Sequence, residues 1–202
     1  MSRKPSFKEE RILWKKGLRN VVGIDEVGRG SFAGPVVAAA VVLPQNFKIN
    51  GIKDSKMLSS KKREILSRYI IENANEYVIS EVKTEYINKH GIGKATRKAF
   101  LDSIKKLKNR LDFVLVDGYK IKDIDYPQKG IIHGDSLSVS IAAASIIAKV
   151  YRDDLMTVYH KKYPEYNFSE NKGYGTKLHR KAIKKYGLCK LHRTSFDLKK
   201  FL

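Results

Sequence analysis

Two apolar runs, at residues 21–27 and 36–43, constrain this chain more than any other feature. Neither keeps the polar alternation of a half-exposed strand, so a strand built from either presents apolar side chains to both sides. β-Branched residues dominate both runs, and each is about one strand long. Gly28, Gly30, Gly34 and Pro35 lie between them and mark a tight, irregular turn joining two neighbours. A sheet that is apolar on both faces has to be covered on both, which predicts helices flanking a buried central sheet.

The rest of the chain supplies that cover. Ser59 or Ser60 can cap a helix through about Asn73, with Ile65, Leu66, Tyr69 and Ile70 on its apolar side, and a short strand follows at 77–82. Over residues 92–107, Ala95, Ala99, Phe100, Ile104 and Leu107 recur at helical spacing. Lysines crowd the end of this segment, where the helix dipole favours cations. Residues 113–116 read as another apolar strand, ending at Asp117-Gly118. Residues 138–159 hold no Gly or Pro and are rich in Ala and Ile; this predicts a long helix whose first half, 141–148, is packed almost all round. Strands alternating with helices make an α/β fold. Past Tyr163 the composition shifts, with twelve Lys and Arg against three acids in residues 161–202. The expected organisation is a core over 1–163 and a small basic helical C-terminal subdomain over 164–202, in which Thr176 caps a helix to Tyr186 and Gly187 ends it.

The whole chain carries 41 Lys and Arg against 21 Asp and Glu, a formal charge of +20, which favours a polyanionic partner and makes nucleic acid the default. A solvated Lys-rich surface is the competing explanation. Cys189 is the single cysteine, so an intramolecular disulfide and a cysteine-built zinc cluster are both excluded, as in a reducing compartment. No apolar stretch is long enough to span a bilayer, and no apolar region follows Arg3 and Lys4, so no membrane contact is expected and the location expected is cytoplasmic. A monomer is the default for a chain of this size and charge.

Asp25 and Glu26 end the first strand, Asp117 ends a later one, and Asp135 sits just before the long helix. If these four carboxylates converged they would repel one another by roughly 4 kcal/mol per pair at 4 Å and an effective dielectric near 20. Only cations would relieve that, and hard oxygen ligands suit Mg²⁺ or Mn²⁺. Each acid also has a bland role: Asp117-Gly118 as a turn, Asp135 as a helix cap. The adjacent acids Asp25 and Glu26 are harder to explain away inside an apolar stretch. The turn after them formally matches the dinucleotide fingerprint G-x-G-x-x-A, but that motif requires a helix where Pro35 and the following apolar run predict a strand.

The blocks GIDEVGRGSFAGPVVAAAVVLP at 23–44, DSKMLS at 54–59, VDG at 116–118, GDSLSVSIAAASIIAKVYRD at 134–153, NKGYGTKLH at 171–179 and HRTSF at 192–196 together resemble the ribonuclease HII family. They occur in the family's order and span nearly the whole chain. The resemblance implies a ribonuclease H-like mixed central sheet flanked by helices. It also implies an endonuclease that hydrolyses the RNA strand of RNA/DNA hybrids and incises 5′ of single ribonucleotides embedded in duplex DNA, leaving 3′-OH and 5′-phosphate ends. By motif match, Asp25, Glu26, Asp117 and Asp135 would be catalytic and would hold two Mg²⁺ or Mn²⁺ ions with substrate bound, one activating water and the other stabilising the leaving 3′ oxygen.

Gly28, Arg29 and Gly30 match the family's ribonucleotide-sensing turn, whose glycines let the backbone approach a 2′-OH. Tyr174 matches the tyrosine that stacks on the sugar following the ribonucleotide. Ser55, Lys56, Lys149, Thr176, Lys177, His179 and Arg193 are expected contacts to the nucleic-acid backbone. The chain departs from the usual pattern at Ser31-Phe32, at Tyr119 and at His133; these bear on substrate fit, and His133 on the pH dependence of binding. The sister type, ribonuclease HIII, usually carries Gly-Lys-Gly in the turn. Two other classes compete, a non-catalytic basic binding module and a different nuclease or recombinase on the same fold, and a tether to a replication clamp is left open.

Overall fold

The two apolar runs form adjacent central strands, β1 (Val21–Val27) and β2 (Val36–Val42), paired antiparallel. The structure is a computed structural model that describes residues 4–48, 51–52 and 58–202. Three further strands, β3 (Glu76–Val82), β4 (Phe113–Asp117) and β5 (Gln128–Ile131), complete a mixed sheet in the order β3-β2-β1-β4-β5. β2 and β3 are antiparallel, whereas β4 runs parallel to both β1 and β5.

Both faces are covered, as two-sided apolar strands require. On one face Val22, Ile24, Ala38, Ala40 and Val116 meet Ala95, Ala99, Phe100 and Ile104 of α3 (Thr84–Lys105). On the other, Val37, Ala39 and Val41 meet Leu66 and Ile70 of α2 (Ser60–Asn73) and the apolar half of α4 (Val139–Lys162). Ser59 and Ser138 cap α2 and α4 by accepting from Lys62 N and Ile141 N. Residues 141–148 are buried on every side. α4 lies so close to β1 that a Cβ on Gly23 would stand 2.2 Å from the Ser140 carbonyl carbon.

Some elements differ from expectation. α3 begins at Thr84, eight residues before the predicted start, because a first short helix joins the second across a break at Gly91 (φ 81°). α1 (Lys8–Trp14) and the edge strand β5 have no counterpart in the sequence reading. Beyond Tyr163 a 3₁₀ turn, the short α5 (Phe168–Asn171) and α6 (Lys177–Tyr186) surround an apolar cluster of Tyr166, Phe168, Ala182 and Ile183, which also takes in Ala33 and Met156. Thr176 caps α6 by accepting from His179 N, and Gly187 stands at its C-terminal end. No described helix is long and apolar enough to cross a membrane.

Candidate active site

The acids sit where the central strands end. Asp25 and Glu26 are consecutive on β1, so they face opposite sides of the sheet, Asp25 towards α4 and Glu26 towards α3. Ile24 is in register with Val116 of β4, which places Asp117, the next residue of β4, beside Asp25. Asp25, Glu26 and Asp117 line one cavity of about 150 Å³ together with Ser145, Lys149 and Tyr174.

Asp135 comes in through its backbone. A left-handed residue, His133 (φ 57°), turns the chain into a 3₁₀ segment, Gly134–Ser136, whose amides point at Asp117. Asp117 Oδ1 accepts from Gly134 N at 2.7 Å and from Asp135 N at 3.4 Å. Asp135 itself is buried in that turn, next to the acid cavity but not among the residues that line it.

The electrostatics of this cluster run against ionisation. Burial pushes the Asp25 carboxyl well above the usual carboxylate range, and the nearby charges of Asp117 and Glu26 push the same way. Hydrogen bonds from Ser145 and from Glu26 N, the latter at 2.7 Å to Asp25 Oδ1, oppose them. Burial also raises Glu26, against the pull of Arg29, whose guanidinium stands 3.6 Å from Glu26 Oε1. An acid held with its charge disfavoured, beside two more acids, is a hard-oxygen set that gains from a divalent cation such as Mg²⁺ or Mn²⁺. As the side chains stand, each acid has an oxygen directed to a protein donor. Among the described residues, no group of three or more His, Cys, Asp or Glu side chains is arranged to hold a metal ion.

The turn beside the acids is held from below by two arginines that the sequence does not single out for that task. Arg152 of α4, fully buried, donates to the carbonyls of Ala33, Pro35 and Lys172. Arg193, also fully buried, donates to those of Arg29, Gly34 and Pro35. Burial, and then the charge of Arg152, lowers Arg193 to about 9. Gly28 has φ 92°, and a Cβ there would lie 2.3 Å from Arg152 Nε, so both conformation and space require glycine. Arg152 also lies 5.7 Å beneath the ring of Tyr174, joining the turn and the tyrosine through one side chain.

These placements correct part of the sequence reading. Arg193 was expected at the nucleic-acid backbone, but its donors are engaged inside the protein. His179 was expected there too and is instead fully buried. Its Nδ1 lies 2.9 Å from the Tyr174 carbonyl, which can only accept, so Nδ1 donates and Nε2 of the neutral ring accepts. His192 Nε2, 3.1 Å away, is then the donor, and its Nδ1 accepts from Cys189 N at 2.9 Å. The two rings thus form a one-way relay from residue 189 to the backbone of Tyr174.

Thr176 is exposed, with its hydroxyl accepting from His179 N. Lys177 is exposed in the first turn of α6. Lys149 lines the acid cavity and pairs with Asp153 at 2.6 Å. Gly30 faces open space, and Tyr174 is 37% exposed. Ser55 and Lys56 lie outside the described residues. Ser31 and Phe32, expected to bear on substrate fit, turn inward: Ser31 is fully buried and Phe32 stacks on Phe201 at 5.5 Å. Arg152, Ser145 and His192 were missed as contributors. Arg152 carried one signal, an arginine at the end of an apolar helical stretch.

A family model described as Ribonuclease HII matches residues 22–199. A ribonuclease HII of Syntrophus aciditrophicus is 48% identical over 190 residues, covering 94% of this chain and 90% of the relative. One of Ruminiclostridium cellulolyticum is 50% identical over 187 residues, 93% of this chain and 73% of that protein. The crystal structure of ribonuclease H2 from Pyrococcus horikoshii superposes with a TM-score of 0.73 at 25% identity, covering 90% of this chain and 96% of the other.

Proposed function

The chain belongs to the ribonuclease HII family of endonucleolytic hydrolases, and on that premise we propose that it hydrolyses the RNA strand of RNA/DNA hybrids and nicks duplex DNA on the 5′ side of a single embedded ribonucleotide. The observation that carries this reading is the shared cavity of Asp25, Glu26 and Asp117, with Tyr174 in its wall and the Gly28-Arg29-Gly30 turn beside it. A module that only bound nucleic acid would have no use for buried acids whose ionisation the fold opposes.

Asp25, Glu26, Asp117 and Asp135 are the residues that would hold divalent ions. Such ions would supply an activated water and charge neutralisation at the leaving oxygen. The protein's own part is placement. The turn brings backbone groups against the ribose at the cut, with Arg152 and Arg193 keeping those carbonyls fixed. Tyr174 offers a ring to the next sugar, and Lys149 places a cation in the same cavity. Water attacks the phosphorus in line, the P–O3′ bond breaks, and the 3′ oxygen leaves with a proton, giving 3′-OH and 5′-phosphate ends.

The test is a duplex with one ribonucleotide, compared with its all-DNA twin, in Mg²⁺ or Mn²⁺ and in excess chelator. Nicking of the first duplex alone, on the 5′ side of the ribonucleotide and only with metal, is expected. Equal cutting of both duplexes, or full activity in chelator, would reject the reading.

A further inference from the structure

The acids open onto a second, larger space. Glu26 and Asp117 also line a groove of about 310 Å³ on the α3 side of the sheet. Its floor is apolar, with Phe100 and Ile121, and its rim carries Arg29, Arg97, Lys120 and Lys122. Tyr119, the first residue past Asp117-Gly118, stands on the rim 80% exposed, the most exposed of the large apolar and aromatic side chains among the described residues. Neither the cutting step nor the ribose-reading turn makes use of Tyr119, Lys120 or Lys122.

We propose that this groove is a binding subsite for the nucleotides on the 5′ side of the cut, with Tyr119 as a stacking platform for a base or sugar and Lys120 and Lys122 as phosphate contacts. The groove is continuous with the acid cavity through two shared carboxylates, so a strand lying across the acids enters it directly. Direction follows from the proposed function, on which this inference rests: Tyr174, which takes the sugar 3′ of the ribonucleotide, lines the acid cavity but not the groove, so the groove is left for the strand on the other side of the cut. The chemistry suits a nucleic-acid strand, because an exposed ring beside cations over an apolar floor binds stacked bases and phosphates with little sequence preference.

Binding separates this subsite from catalysis. Affinity would be measured by fluorescence anisotropy with Asp25→Asn protein, so that no strand is cut, on one-ribonucleotide duplexes with a fixed 3′ flank and a 5′ flank lengthened stepwise. The parent protein should gain affinity over the first few 5′ nucleotides. Adding Tyr119→Ala should remove about tenfold of that gain, the size expected of one stacked base. Adding Lys120→Ala with Lys122→Ala should instead lower the salt slope of the same step. Tyr126→Ala, at an exposed tyrosine outside the groove, is the control and should change neither. An undiminished 5′ gain in the Tyr119 and lysine variants overturns the subsite. So does a loss that follows the length of the complementary strand instead. Nicking by the unmutated protein is scored separately, so failure of the nuclease reading and failure of this subsite give different results.

Discussion

Asp25 shows how a single side chain can be placed against its own stability. Its carboxyl is raised by burial and by two acidic neighbours, so the folded state disfavours the charged form. For a raised carboxylate, the fold binds the proton more tightly than the unfolded chain does. Stability from this group is therefore present at low pH and lost as pH climbs from the unfolded value through the folded one. At pH 7 in chelator, Asp25→Asn should melt higher than the unmutated protein. Mg²⁺ or Mn²⁺ should raise the melting temperature of the unmutated protein and have less effect on the variant, because a ligand that binds only the native state stabilises it. A variant that melts lower, with the same metal response, would contradict this account. His192 carries the opposite sign. Burial, then repulsion from His179 should that ring also take up a proton, lowers it to about 4, so the unfolded chain binds more protons between about pH 6.5 and 4 and stability falls as pH falls through that window. The full span corresponds to roughly 3 kcal/mol. Denaturant melts from pH 7 to 4 should show this loss, flattened in His192→Gln.

At the level of elements, legibility followed from how strongly a segment's own residues dictate its state. α4 was readable because residues 138–159 lack any helix breaker, although its cap is Ser138 and not Asp135, and α6 because Thr176 and Gly187 punctuate it. β5 was not, since its sequence QKGI has no apolar run and becomes a strand only by pairing with β4. α1 was not, because it is seven residues long and Phe7 at its start makes no side-chain cap. Asp25 and Glu26 stood out in the sequence as adjacent charges in an apolar run, whereas Asp117 and Asp135 each read equally well as a turn or a cap. The interior roles of Arg152, Arg193 and His179 were not, because a basic residue in a basic chain reads as surface until the carbonyls around it are known.

α1 nevertheless holds a link to the site. Its Glu10, fully buried, accepts from Ser138 Oγ at 2.6 Å and Ser140 N at 2.9 Å, and so anchors the start of α4 immediately after the turn that carries Asp135. Glu10→Ala leaves two buried donors unpaired and should destabilise by about 1–3 kcal/mol, with a lower kcat, whereas Glu10→Gln keeps an acceptor and should recover most of both. Thermal melts and nicking rates on the two variants check this, and equal damage from both would argue against a hydrogen-bonding role.

Across the whole molecule, cutting and binding fall on different groups. The acids that would cut are few and lie at the end of the sheet, whereas the positive charge is spread over a chain of formal charge +20. α6 concentrates part of it: His179, Ala182 and Ile183 are buried, while Lys177, Lys181, Lys184 and Lys185 are exposed on the same helix. Because phosphate contacts act by releasing counterions, affinity should fall steeply with salt, with a slope of about −0.9 per duplex phosphate neutralised. Asp25→Asn should therefore abolish nicking yet keep most of its affinity for the duplex. Changing Lys181, Lys184 and Lys185 together to Ala should do the reverse, leaving kcat at saturating substrate while weakening binding and reducing the salt slope by up to about 3. The two measurements are duplex affinity from 50 to 300 mM salt and single-turnover nicking. If the lysine variant kept the full slope, the duplex would be held by some other face of the molecule, and the basic C-terminal helix would be a solvated surface with no part in binding.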